Sequence, residues 1–135
     1  MNKTLIVVVT GIASLASIGL AQEDKDYQTW MKTVASTNGT LRKNVEAKMG
    51  DAAAADADKI AGAFKQITAF WEKRGAADAV AAAQKAATAA GDISTAAKAG
   101  NWDQASGAVM ALGGTCGGCH RAHREGTAQE GFKIK

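Results

Sequence analysis

The chemically most informative segment of the chain is Cys116-Gly-Gly-Cys-His120, which has the C-x-x-C-H spacing of covalent haem attachment. Each of its two thiols can add across one vinyl group of a porphyrin, and the neighbouring imidazole can then bind the iron. On a helix that turns by about 100° per residue, Cys119 lies about 60° to one side of Cys116 and His120 about 40° to the other. The segment therefore predicts one covalent haem, held by Cys116 and Cys119 and ligated by His120.

Other kinds of site fit these residues less well. A thioredoxin-like redox pair needs a strand before its helix, and no strand is visible in this part of the sequence. A zinc site needs four ligands, whereas the chain has 2 Cys and 2 His, and Cys119 is adjacent to His120. A plain disulfide would leave His120 without a role. We therefore expect haem c, with its iron, as the cofactor.

Helices must position this segment, because the chain has no proline and is rich in alanine after its first residues. Gly50, Gly75 and Gly100 each follow a helix-like stretch whose end carries Lys or Arg, as is typical of a helix C-terminus. Asn101 is a suitable residue to begin the last helix. The predicted helices are 24–49, 52–73, 76–99 and 101–125.

Short connections place consecutive helices antiparallel, so the predicted fold is all-α, an antiparallel up-down-up-down four-helix bundle with one covalent haem. Apolar residues at steps of three and four form one stripe on each of the first two helices. These stripes are Trp30, Met31, Val34, Leu41, Val45 and Met49 on the first helix, and Ile60, Phe64, Ile67 and Trp71 on the second. The third helix is mostly alanine, and such a thin apolar face lets neighbouring helices approach closely.

The beginning of the chain reads as an export signal. Lys3 gives a positive start, an apolar run follows from Leu5 to Leu20, and small residues around Ala21 offer a cleavage site. The run is short for a membrane span of about 20 residues and is diluted by polar residues and glycine. We therefore expect a periplasmic protein without a stable membrane anchor. The predicted division is a signal peptide at 1–21 and a bundle domain at 22–135.

The charge balance argues against nucleic acid as a partner. The chain has 16 basic and 13 acidic residues, and removal of Lys3 with the signal leaves 15 against 13. Redox partner proteins are the expected partners instead. Lys25, Lys32, Arg121 and Lys133 could form a docking rim around a haem edge, although such charges are more often only a solvated surface.

A sixth ligand for the iron can be sought from the bundle geometry. In antiparallel first and last helices, residues at the same level have numbers that sum to about 150, which places His120 level with Met31. Met49 would lie about 27 Å away along the axis, and Met110 is on the same helix as His120. Met31 is therefore the predicted second iron ligand. The alternative is that Met31 only packs in the core, as most methionines of a helical stripe do.

Together with the motif, the run Arg-Ala-His-Arg124 and the tail ending at Lys135 resemble the class II c-type cytochromes, which include cytochrome c′. This family implies the four-helix bundle. Trp30-Met31-Lys32 looks like the low-spin, methionine-ligated branch, and the resemblance also implies a possible homodimer. The chain departs from the family at His123, where tyrosine is usual.

On this resemblance, the expected function is that of a one-electron carrier with a His/Met-ligated haem and no enzymatic activity. Two filled axial positions need little reorganisation between oxidation states, and a methionine ligand raises the reduction potential. The alternative is a five-coordinate, cytochrome c′-like haem protein that binds nitric oxide or carbon monoxide. The two functions differ in whether Met31 occupies the iron's second axial position.

Overall fold

A computed structural model describes residues 14–135, with side-chain surroundings from residue 23 onward. The predicted signal peptide lies largely outside the described residues and stays a prediction. All four predicted helices are confirmed. The short hairpin near the end of the chain is not predicted by the sequence analysis, because helical periodicity gives no signal for strands. The elements are α1 Ser14–Glu46, α2 Gly50–Lys73, α3 Ala77–Lys98, α4 Trp102–His123, β1 Arg124–Glu125 and β2 Lys133–Ile134.

Three-residue turns join the helices, so each helix runs antiparallel to the one before it. Two ion pairs tie the end of α2 to the first described side chains of α1. Lys73 Nζ lies 3.2 Å from Glu23 Oε1, and Arg74 pairs with Asp24. The up-down-up-down bundle is therefore confirmed. Among the described residues, no helix has the length and apolar character needed to cross a bilayer.

Two of the three predicted glycine stops are confirmed by the backbone. Gly75 and Gly100 follow α2 and α3 with φ of 67° and 69°, in the left-handed region that glycine adopts without strain. Asn101 then caps α4, because its side-chain oxygen accepts a hydrogen bond from the backbone N–H of Gln104 at 3.2 Å. Local sequence therefore determines both of these turns.

The predicted end of α1 is wrong. The helix ends at Glu46, and Lys48, not a glycine, takes the left-handed conformation with φ of 57°. Gly50 instead begins α2 at a close helix contact, where an added Cβ would lie 3.1 Å from the carbonyl oxygen of Ala97. The absence of a side chain at Gly50 allows α3 to pack closely, and Gly50 does not terminate α1.

The core lies mainly on α2 and α3. All four stripe residues of α2 are buried, as are Leu41 and Val45 of α1. Met49 was predicted to continue the stripe of α1, but it lies in the turn after the helix and is 53% exposed. On α3 the buried surface is mostly alanine, with Ile93 fully buried, which agrees with the predicted close approach of the neighbouring helices.

One pair of neighbouring helices hardly touches. α1 packs along α2, α2 along α3 and α3 along α4, whereas α1 and α4 make few contacts. On α4 only Ala105 and Leu112 are buried. The bundle is therefore open between α1 and α4, and the Cys116–His120 segment lies on one side of this opening.

Replacement of each of the two α2 glycines by alanine tests the close contact at Gly50, because Gly50 and Gly62 have different surroundings. Gly62→Ala should raise the free energy of unfolding by about 0.5–1 kcal/mol, since alanine favours a helix interior and no atom lies within 4 Å of the new methyl group. Gly50→Ala should not show this gain, because its methyl group meets the backbone of Ala97. Denaturant unfolding of the two holoproteins measures the difference, and equal gains would contradict the packing described for Gly50.

Candidate haem site

Two adjoining cavities occupy the opening between α1 and α4. Their volumes are about 350 Å³ and 230 Å³, and both walls are predominantly apolar. The larger, called here the outer cavity, is closed on one side by the terminal hairpin; the smaller, called here the inner cavity, reaches α2 and α3. This size and character suit a cofactor site, since such sites usually enclose about 300–1,000 Å³. The residues that line both cavities are Tyr27, Met31, Ala35, Cys119 and His120.

The structure brings together all four residues that the sequence predicts for the site. Cys119, His120 and Met31 line both cavities, and Cys116 lines the inner one. The two thiols are half-buried and free, and the Sγ of Cys116 lies 3.7 Å from the carbonyl oxygen of Leu112. α4 therefore presents both thiols and the imidazole to one space, and α1 presents Met31 to that space from across the opening.

Burial sets the protonation states of two of these groups. It lowers the pKa of His120 below its usual value, and the charge of Arg124 adds to the effect. It raises the pKa of the Cys119 thiol, and electrostatic interactions with Asp78 and Cys116 act in the same direction. At neutral pH the site therefore holds a neutral imidazole, which can bind iron, and a protonated Cys119 thiol, which can add sulfur and hydrogen across a vinyl group.

A haem fits the residues that surround the cavities. The side-chain oxygen of Asn38, which lines the inner cavity, is buried without a hydrogen-bond partner in the described part of the chain. A buried acceptor without a partner costs about 1–3 kcal/mol and is rare in a complete structure. The apolar walls, the two thiols and the neutral imidazole fit a haem. The oxygen of Asn38 would accept a hydrogen bond from water or another donor, because an iron porphyrin has no N–H group.

Tyr27 lines both cavities and is a site residue that sequence reasoning missed. Its ring lies 4.6 Å from that of Phe70 and 5.5 Å from that of Trp71, and burial raises its pKa to about 12. Tyr27 therefore stays neutral and forms an aromatic wall backed by α2. Its position four residues before Met31, on the same face of α1, is the signal that could have identified it.

The terminal hairpin also contributes to the outer cavity. Phe132, Lys133 and Ile134 line it, and the guanidinium of Arg124 lies 4.0 Å from the ring centre of Phe132. The backbone N–H of Lys135 donates to the carbonyl oxygen of His123 at 3.0 Å, which holds the hairpin against the end of α4. Sequence periodicity gives no signal for two strands of two residues each.

His123, where the family usually has tyrosine, joins α4 to α3. Its Nε2 lies 2.8 Å from Asp78 Oδ2, and its ring packs 4.7 Å from that of Trp71. The hydrogen bond from His123 is the main reason that the pKa of Asp78 is below its usual value. His123 also lines the outer cavity, but its Nε2 is engaged by Asp78.

Replacement of His123 by phenylalanine tests this contact. Phenylalanine keeps a ring on Trp71 but cannot bond to Asp78, so the pKa of Asp78 should rise towards its usual value. Because that pKa is lowered in the folded protein, the contact favours folding above the usual carboxyl pKa and ceases to do so as the pH falls through the folded value. A carboxyl titration by NMR measures the change, carried out on the ferrous form with carbon monoxide bound, which is diamagnetic.

Asp58 is the matched control in that titration. Its pKa is lowered by a hydrogen bond with Ser94 and by Lys98, and neither depends on His123. An unchanged Asp78 pKa in the variant would contradict the contact, and a parallel rise at Asp58 would indicate a general change of structure.

Comparisons with known proteins identify the family. The family model described as cytochrome c′ matches residues 68–124. Cytochrome c′ of Pararhodospirillum photometricum is 40% identical over 102 residues, which cover 67% of this chain and 80% of the relative. No solved structure matches the chain with significance. The chain therefore belongs to the cytochrome c′ family of class II c-type cytochromes and carries a covalently bound haem c with its iron.

Proposed function

We propose that this protein is a periplasmic haem protein of the cytochrome c′ type, with a second axial position that nitric oxide or carbon monoxide can occupy. The observation that supports it best is the 40% identity to a protein named cytochrome c′. This similarity favours the five-coordinate alternative over a permanently His/Met-ligated carrier. The predicted export signal at 1–21 supports the periplasmic location, and we expect no substrate turnover.

In this proposal each site residue has one task. Cys116 and Cys119 form thioethers with the two vinyl groups, which fixes the cofactor to α4. His120 offers a neutral ring nitrogen at physiological pH, because burial keeps its pKa low. The haem supplies an iron that changes oxidation state by one electron and binds small diatomic ligands.

The side of the cavity opposite His120 suits small apolar ligands. Val34, Phe64 and Ile67 line the inner cavity there, and Phe64 and Ile67 are only 6% and 2% exposed. Such surroundings give water few hydrogen-bond partners and favour a diatomic molecule of low polarity. α1 and α2 would therefore provide a dry space above the iron.

The position of Met31 favours a second candidate, the one-electron carrier. Met31 lines both cavities together with His120 and comes from the opposite helix. If its thioether binds the iron, both axial positions stay filled and the haem exchanges electrons with redox partner proteins. The two functions therefore differ in whether Met31 binds the iron. A homodimer is compatible with either function.

Cysteine replacement tests the attachment. Cys116→Ser or Cys119→Ser should weaken haem retention after acid–acetone extraction, and the double variant should lose retention entirely, because no thioether remains. Denaturing electrophoresis with a haem-peroxidase stain provides the measurement. Free extraction of haem from the unaltered protein would rule out attachment at these residues.

Replacement of Met31 by alanine tests the choice between gas binder and carrier. Under the proposal, the unaltered ferric protein is high-spin, its ferrous form binds carbon monoxide readily, and Met31→Ala leaves the spin state unchanged. Absorption spectra of both oxidation states and carbon monoxide titration measure this. Met110→Ala is the matched control, since Met110 is 73% exposed on α4 and lines neither cavity.

The carrier gives the opposite results. Its ferric form is low-spin with a near-infrared sulfur-to-iron charge-transfer band. Met31→Ala would then remove that band, lower the reduction potential and open the iron to carbon monoxide while the haem stays attached. This outcome would reject the gas-binding proposal.

A further inference from the structure

Three cations from three different elements surround the outer cavity. Lys32 comes from α1, Arg124 from the end of α4 and Lys133 from β2, and all three residues are exposed. Within the described residues, no Asp or Glu side chain lines either cavity. Lys32 and Lys133 take part in none of the ion pairs formed by the described side chains. The outer cavity therefore has a positive rim.

The positions of the cysteines orient the haem relative to this rim. Cys116 lines only the inner cavity, and Cys119 lies at the junction of the two. A porphyrin held by both thiols would therefore have its thioether edge towards the inner cavity. The opposite edge of the macrocycle, which bears two carboxylates, then faces the outer cavity and its cations. This step rests on the proposed attachment at Cys116 and Cys119.

We propose that Lys32 and Lys133 form a carboxylate-binding site for the two acidic side chains of the haem. Ammonium groups pair strongly with carboxylates, and here two of them line one cavity from two different elements, α1 and the hairpin. Arg124 is less available, because its guanidinium lies over the ring of Phe132. His123 is less available as well, because its Nε2 is bound to Asp78.

The hairpin is the element that positions Lys133. Glu125 of β1 pairs with Lys133 of β2, and Lys135 is bonded to the carbonyl oxygens of His123 and, through its Nζ, of Arg121. These bonds fasten the last residues to the end of α4, which also carries the haem motif. The match to the cytochrome c′ family model ends at residue 124, so β2 and Lys133 lie beyond the matched segment.

A zero-length crosslink tests the contact directly. A water-soluble carbodiimide joins a carboxylate to an amine that touches it, with formation of an amide and loss of one water, which the reagent takes up. After treatment of the holoprotein and trypsin digestion, the haem peptide 99–121 should be found joined to peptide 125–135 through Lys133, or to the peptide that contains Lys32. Mass spectrometry identifies each product.

Matched variants make the result specific. Lys133→Gln should remove the first product, and Lys32→Gln the second. The reduction potential should fall in each variant and fall further in the double variant, since a nearby cation favours the reduced haem. Lys59→Gln and Lys65→Gln, at exposed positions on α2 outside both cavities, should change neither measurement.

The contrary results are equally clear. A haem peptide that carries no crosslink to either lysine would overturn the proposal while leaving the attachment at Cys116 and Cys119 intact. In that case, the oxidation rate of the ferrous protein by hexacyanoferrate(III) would be measured at several ionic strengths. A weaker ionic-strength dependence in Lys32→Gln and Lys133→Gln would show that the rim binds negatively charged partners instead. Absence of a haem-bearing peptide would instead show that the attachment itself had failed.

Discussion

The separation of α1 from α4 is the constraint on which the rest of the structure depends. In a four-helix bundle each helix normally packs on two neighbours, but α4 packs mainly on α3 and, among the described residues, buries only Ala105 and Leu112. Because α1 and α4 do not cover each other, the apolar surface on their open sides can be buried only against another group that fills the space between them. With the proposed attachment at Cys116 and Cys119, a macrocycle on α4 would provide that group, and the covalent haem would complete the core as well as supply the iron.

The same exclusion of water determines the chemistry of the site. Burial lowers the pKa of His120 and raises the pKa of Cys119, two opposite shifts with one cause, because burial disfavours the charged form of each group. Tyr27 is kept neutral in the same way. The cavity thus keeps three polar side chains in neutral states, and the positive charges are confined to its outer rim.

The sequence predicted the features that depend on local spacing. Gly75, Gly100 and the cap at Asn101 depend on backbone conformation within a few residues, and the haem motif depends on the pitch of a single helix. The predictions for Gly50 and Met49 were wrong. Gly50 has no side chain because α3 packs closely against it, and Met49 lies outside α1 because that helix ends at Glu46. Such contacts between elements leave no periodic signal.

The hairpin was missed for a related reason. Two strands of two residues have no measurable alternation, and their stability comes from bonds to the end of α4 and from the contact of Arg124 with Phe132. A chain segment of this kind is visible only once the helix it docks on has been placed. Its contribution of Lys133 to the outer cavity is consequently a tertiary property of the chain.

If His120 binds the iron as proposed, the opposite side of the haem shows where a fold stops determining function. Met31 has an unbranched side chain with several rotatable bonds, so the same backbone allows its sulfur to bind iron or to pack beside it. The two arrangements differ in the balance between one iron–sulfur bond and the packing of one flexible side chain. Because neither alters the bundle, an electron carrier and a gas-binding protein can share every helix described here. The difference between them lies at one side chain, which is where function on a common scaffold is usually determined.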